Sequence, residues 1–132
     1  MRTTWEHRFF VRDDRAISEF AKGIDDWNPL HHERQVAFAA GLDGIITPFV
    51  MILGFISTTI AAEIPDGVRI HHLEIDFLRP IYGGMMPTVT VTVMKLKRGV
   101  AKVAIKVWRA DEVLAEGSCT LLLPKKQAAI AA

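Results

Sequence analysis

The sequence predicts an α+β fold in which an antiparallel sheet wraps around one central, apolar helix. Three features point there. The stretch Gly44 to Ala62 carries no formal charge. After Pro65 the chain reads as four consecutive strands with alternating apolar and polar residues. Before Gly44 it holds only short segments, each punctuated by Gly, Asp or Pro. With 132 residues, 50% hydrophobic and 23% charged, the chain is long enough for one packed domain, residues 1–132, and too short for two separate cores.

Taken in order, Trp5 to Val11 reads as a first short strand. Asp13 or Asp14 caps a short helix in which Ile17, Phe20 and Ala21 share one face, and Gly23 ends it. Ile24 to Leu30 is a loop centred on Asn28-Pro29, because the residue before proline is pushed out of helical geometry. A second short helix, Glu33 to Ala40, stops at Gly41. The central helix is expected to have Thr47 as its cap and Pro48 at its first position, and Pro65-Asp66-Gly67 ends it. The strands are Val68 to Leu78, Thr88 to Lys97, Ala101 to Ala110 and Val113 to Leu123. Arg98-Gly99 and Asp111-Glu112 supply the last two turns, and an Ala-rich tail follows Pro124. A helix apolar all round must be covered on every side. A curled sheet covers part of it, and the short helices or a second subunit cover the rest. That is a design of the hot-dog type, commonly dimeric, and a homodimer is expected.

Composition narrows the function. Sixteen basic and fifteen acidic residues leave a net charge of +1, with the basic residues scattered, which argues against nucleic acid or an anionic membrane as partner. A helix from Pro48 to Ala62 would reach roughly 22 Å at ~1.5 Å per residue. A bilayer core needs about 30 Å, so the apolar stretch reads as a buried helix. MRTTWEHRFFVRDD lacks the apolar core of a secretory signal, and the single Cys119 forms no internal disulfide. A cytoplasmic location is expected. His31-His32 and His71-His72 look like metal ligands, but neighbouring residues of a strand face opposite ways, so no metal site is expected.

The informative stretch is Phe20 to His31, which holds Asp26-Trp27-Asn28-Pro29-Leu30-His31. It sets a carboxylate and an imidazole five residues apart across a proline-stiffened loop. Asp26 and Asn28 are also ordinary turn formers, and taken alone would build only a turn. The string resembles the motif of the MaoC-like, (R)-specific enoyl-thioester hydratases, an Asp, any residue, then Asn-Pro-Leu-His. Further similarity lies in Phe77-Leu78-Arg79-Pro80 with Gly84, and in the ending from Gly117 to Pro124.

The resemblance implies a hot-dog fold and hydration of a 2-enoyl thioester to an (R)-3-hydroxyacyl thioester, or the reverse dehydration. The substrate would be carried by coenzyme A or by acyl carrier protein, and no cofactor is implied. Adding water across C2 and C3 needs a base, a proton donor and hydrogen-bond donors around the developing enolate oxygen. An imidazole exchanges protons near neutrality, with a reference pKa of ~6.5. Asp26 and His31 are therefore expected to activate water and move its proton, with Asn28 in support. One departure stands out. The family's central helix begins with His-Gly, whose backbone N–H helps bind the thioester oxygen, and Thr47-Pro48 fall there. Proline has no N–H. The Thr47 hydroxyl or the Phe49 N–H would have to substitute. The family's serine region falls on Ile52-Leu53. A hot-dog thioesterase and a non-catalytic acyl-thioester-binding subunit of a heteromeric dehydratase are the alternatives. Phe49, Met51, Phe55 and Met85-Met86 are candidates to line an acyl channel, and Lys95, Lys97 and Arg98 to meet carrier phosphates, with core packing and a solvated edge the plainer readings.

Overall fold

A computed structural model describes residues 3–125, so most of the Ala-rich tail lies outside the described residues. The chain runs β1 (Thr4–Arg8), α1 (Asp14–Gly23), a 3₁₀ turn (Pro29–His31), α2 (Arg34–Ala39), α3 (Phe49–Glu63), β2 (Arg69–Phe77), β3 (Thr88–Lys97), β4 (Val100–Arg109) and β5 (Glu112–Leu122). The strands form one antiparallel sheet in the order β1-β3-β4-β5-β2. The period-2 pattern sets its faces. Val89 and Val91 of β3 and Val103, Ile105 and Val107 of β4 point inward, while Lys102 and Lys106 point out. The inward residues pack in one cluster with Ile52, Ile56 and Ile60 of α3. A sheet curled over a central helix is the hot-dog arrangement.

Helix α3 is apolar all round but is not covered all round. Ile52, Ile56, Thr59 and Ile60 are buried, and this spacing of four, three and one marks a single stripe against the sheet. Phe49, Ser57, Thr58 and Ala61 are exposed. Among the described residues, no helix is long and apolar enough to cross a membrane.

Several boundaries differ from the sequence reading, each for a local reason. The first strand stops at Arg8, although Phe9 and Val11 still donate to the carbonyls of Pro87 and Met85. Gly23 is the last residue of α1, as expected, but the left-handed conformation after the helix falls on Asp25 at φ 58°. Thr47 does not cap α3. Its N–H is committed to the carbonyl of Ile81, so the chain is still extended there; Pro48 is the cap residue and Phe49 the first helical one. The turn between β4 and β5 is Ala110-Asp111, one residue earlier than expected, with Ala110 at φ 53°. At Arg98-Gly99 both residues have positive φ, 51° and 76°, which the twist of a two-residue hairpin demands. A bulge between Ile70 and His72 breaks the alternation at the His71-His72 pair, and both imidazoles are exposed.

Cys119 faces the core at 2% exposure, and burial pushes its thiol from 9.0 up to about 11. Between those values the unfolded chain loses a proton that the folded one keeps, so folding stability falls as pH rises through this window. The native thiol should therefore resist a disulfide reagent at pH 8 and react at once in denaturant. Rapid labelling of the native protein would contradict the burial.

Candidate active site

The site is built where the loop after α1 meets the start of α3. At the end of α1, Asp25 N–H donates to the Lys22 carbonyl and Asp26 N–H to the Ala21 carbonyl at 2.8 Å. With a left-handed residue at Asp25, these two bonds form a Schellman closure that fixes the backbone of Asp26 against the helix. The Asp26 carboxylate then accepts the Asn28 N–H through Oδ1, and Asn28 Oδ1 accepts the Leu30 N–H, both at 3.1 Å. Two overlapping Asx turns thus lead into the 3₁₀ turn, which Pro29 opens and His31 ends. The turn-forming role expected of Asp26 and Asn28 is real, and it leaves Asp26 Oδ2 and the Asn28 amide NH₂ for other work.

His31 is buried, at 6% exposure. Ile46 holds it in place: its N–H donates to the Leu30 carbonyl, and its own carbonyl lies 2.7 Å from His31 Nδ1. A carbonyl only accepts, so Nδ1 carries the proton, and in the neutral ring the lone pair sits on Nε2. Nε2 lies 3.4 Å from Asp26 Oδ2. That is too long for a good direct hydrogen bond, and in the neutral tautomer both atoms are acceptors. Two convergent acceptors suit a molecule that brings two donors, such as water.

Beside His31 opens a cavity of about 400 Å³ lined by Asn28, His31, Ile46, Thr47, Phe49, Ile52 and residues 77–81. Asp26 does not line it; its carboxylate is 26% exposed and meets the site through the 3.4 Å approach of Oδ2 to His31 Nε2. Four of the five expected site residues, Asn28, His31, Thr47 and Phe49, thus share one cavity. At its rim Phe49 and Phe77 meet edge-on at 6.3 Å. Because Pro48 is the cap, the first helical N–H of α3 belongs to Phe49, and it has no intrahelical acceptor.

The rest of the lining was not read from pattern. Ile46 and Ile81 become wall residues through an isolated bridge, Ile46 to Tyr82, which no periodicity announces. Phe77-Leu78-Arg79-Pro80 did carry a signal in their resemblance to a known string, without a place for it. The acyl-channel candidates separate. Met51 and Phe55 line a different groove with Phe9 and Phe20, and Met85 and Met86 line neither. The stack of Phe9 on Phe55, at 4.3 Å, stands between β1 and α3 and occupies that side of the helix. Lys95, Lys97 and Arg98 are exposed at the far end of β3. The cation at the cavity is Arg79, whose Nε lies 3.3 Å from Glu112. A larger hollow of about 870 Å³ lies on the outer face of the sheet around Thr90, Thr92, Lys106 and Trp108, and no imidazole lines it. Among the described residues, no group of three His, Cys, Asp or Glu is placed to hold a metal ion.

Comparison with known proteins gives three consistent results. Residues 42–116 match the model of the thioesterase superfamily. The chain is 27% identical over 122 residues to a tomato (Solanum lycopersicum) protein, the mitochondrial 3-hydroxyacyl-[acyl-carrier-protein] dehydratase FERN, covering 89% of this chain and 72% of that one. Among solved structures, the ChsH1-ChsH2 complex of Mycobacterium tuberculosis superposes with a TM-score of 0.83 at 17% identity, over 92% of this chain and 95% of its own. The (R)-hydratase of A. caviae involved in PHA biosynthesis superposes with a TM-score of 0.81 at 19% identity, over 94% and 98%.

Proposed function

Since this chain belongs to the thioesterase superfamily, we propose that it acts on acyl thioesters as a hydratase or dehydratase, interconverting a 2-enoyl thioester and its (R)-3-hydroxyacyl counterpart. The thioester would be carried by coenzyme A or acyl carrier protein, the second being named in the tomato relative. The observation that carries the reading is the pair of acceptors, His31 Nε2 and Asp26 Oδ2, set 3.4 Å apart, with His31 lining an apolar cavity.

In the hydration direction a water donates one O–H to each acceptor. Its oxygen bonds to C3 while Nε2 takes a proton, and the double-bond electrons move onto the thioester oxygen. The imidazolium returns that proton to C2 on the same face, so the addition is syn and the enzyme ends as it began. The Asp26 carboxylate stabilises the transient imidazolium at close range. The negative oxygen needs donors, and the cavity offers the Phe49 N–H at the start of α3, the Thr47 hydroxyl and the Asn28 amide. On this reading the Phe49 N–H, at the first helical position of α3, would stand in for the N–H that Pro48 lacks. Dehydration is the same path reversed.

The superfamily's description favours one rival, hydrolysis of the thioester. A hot-dog thioesterase usually sets its carboxylate on or near the central helix, and here α3 carries only Glu63, at its last residue. Incubation with a short 2-enoyl-CoA separates the two. Loss of the conjugated absorbance without free thiol is expected; thiol release would replace hydration by hydrolysis, and neither signal would leave binding alone.

The proposal includes a homodimer. Among the described residues strand β2 pairs only with β5, which leaves its other edge without a strand partner there, and Ile70, Phe77, Leu78 and Phe49 are exposed beside it. A second copy of β2 would continue the sheet and cover them. Light scattering should give twice the chain mass, and a monomer at micromolar concentration would refute the arrangement. A cytoplasmic location is the last part of the reading, supported by one buried, unpaired cysteine.

A further inference from the structure

His31 and His32 are adjacent, and the proposed chemistry uses only the first. His32 is half-buried on the other side of the loop, where it makes two short polar contacts. Its Nε2 lies 2.8 Å from the backbone carbonyl oxygen of Asp26, and its Nδ1 lies 2.7 Å from Ser18 Oγ on α1. The carbonyl can only accept, so Nε2 carries a proton, and in the neutral ring Nδ1 accepts the Ser18 hydroxyl proton. The indole of Trp27 stacks over the imidazole at a centroid distance of 5.5 Å and limits its rotation. The ring is therefore a strut between a helix and the peptide of the residue whose carboxylate meets His31.

We propose that His32 is a positioning residue for the reaction: backed by Ser18, it pins the Asp26 carbonyl and so aims the Asp26 carboxylate at the water shared with His31. The inference rests on the reading of Asp26 and His31 given above. Asp26 is then held from both sides, its carboxylate beside one histidine and its carbonyl on the next. The strut completes what the Schellman closure begins: the Asp26 N–H is held by the Ala21 carbonyl, and the Asp26 carbonyl is held by His32. Trp27 is 61% exposed and the Asp26 side chain is partly in solvent, so packing adds little to these hydrogen bonds. Placement errors near 1 Å cost up to ~10²-fold in rate even when they arise outside the reacting groups.

The test uses the full chain, wild type beside His32→Leu, His32→Gln and Ser18→Ala, with a short 2-enoyl-CoA as probe. Leucine removes both hydrogen bonds. Glutamine presents one N–H and one oxygen about as far apart as the two ring nitrogens, and so can remake them. His32 touches no substrate, so His32→Leu is expected to lower kcat by roughly 10- to 10²-fold with KM within about twofold. His32→Gln should return within about threefold of wild type, whereas a merely structural role predicts less folded protein with unchanged kcat per site.

A second readout does not depend on turnover. The Asn28 N–H donates to Asp26 Oδ1, so its hydrogen exchange reports the carboxylate's position. It should quicken by roughly five- to tenfold in His32→Leu and return to the wild-type rate in His32→Gln. An unchanged kcat, or an unchanged Asn28 exchange rate, in His32→Leu overturns the proposal. If His32→Leu does not fold, Ser18→Ala keeps the ring and removes its anchor, and kcat and exchange both unmoved there also overturn it. If the wild type consumes no enoyl thioester, the functional reading fails instead, and the Asn28 exchange still decides whether the strut exists.

Discussion

Replacing Asp26 with asparagine should lower the turnover of 2-enoyl-thioester hydration by at least ~10²-fold, within the range expected for a group that takes part in proton transfer. The substitution is chosen to spare the fold. Asparagine keeps an oxygen that can accept the Asn28 N–H, so the first Asx turn survives. What changes is the other end of the side chain. An NH₂ would face His31 Nε2 in place of Oδ2 and donate to the lone pair that must receive the water's proton. The base is thereby occupied, and the negative charge that steadies the imidazolium is gone. The companion change, His31→Gln, removes the base and should cost at least as much, while its amide can still reach the Ile46 carbonyl. Because both groups act on one water, the double variant should be no slower than the worse single one within a fewfold. Initial rates at saturating substrate, with circular dichroism to establish folding, decide the matter. An Asp26→Asn enzyme within threefold of wild type would remove Asp26 from the mechanism.

How much of this was legible beforehand depends on the range of the interaction that fixes each residue. The strands of the sheet were readable because alternation is a local signal, and Val103, Ile105 and Val107 could be assigned inward before any partner strand was known. The loop was readable for the same reason, since Asp26, Asn28 and Pro29 act on backbone groups one or two positions away. The start of α3 was misread because its deciding bond is long-range. Thr47 is a good cap residue, but its N–H goes to Ile81, thirty-four positions later, and no propensity reports that. His31 faces the cavity through the Ile46 carbonyl, supplied from a segment without regular structure. His32 was weighed only as a metal ligand because it follows another histidine. Its actual partners, a serine one helix back and a carbonyl six residues back, form no recognisable spacing.

The largest structural effect is expected at Gly117, which sequence offered only as the start of a string resembling a family's ending. Gly117 lies in β5 between Ile105 of β4 and Ile75 of β2. A Cβ added there would fall onto the Glu74 carbonyl oxygen and within 2.7 Å of Ile75 Cα, and these are backbone atoms that cannot swing aside. Gly117→Ala must therefore push β2 away from β5. The sheet would lose ladder hydrogen bonds around Glu74 and Ile75, an expected cost of about 3 kcal/mol or more. The effect should also reach chemistry, because β2 ends at Phe77, and residues 77–81 form one wall of the cavity. Urea unfolding should show a lower midpoint, and any folded Gly117→Ala protein should have a raised KM, since in the proposed function that wall would touch substrate. An alanine variant as stable as wild type would mean that β2 is not packed on β5 at this register. In that case the exposed edge, the dimer built on it and the wall beside His31 would all need to be redrawn together, because one strand's position fixes all three.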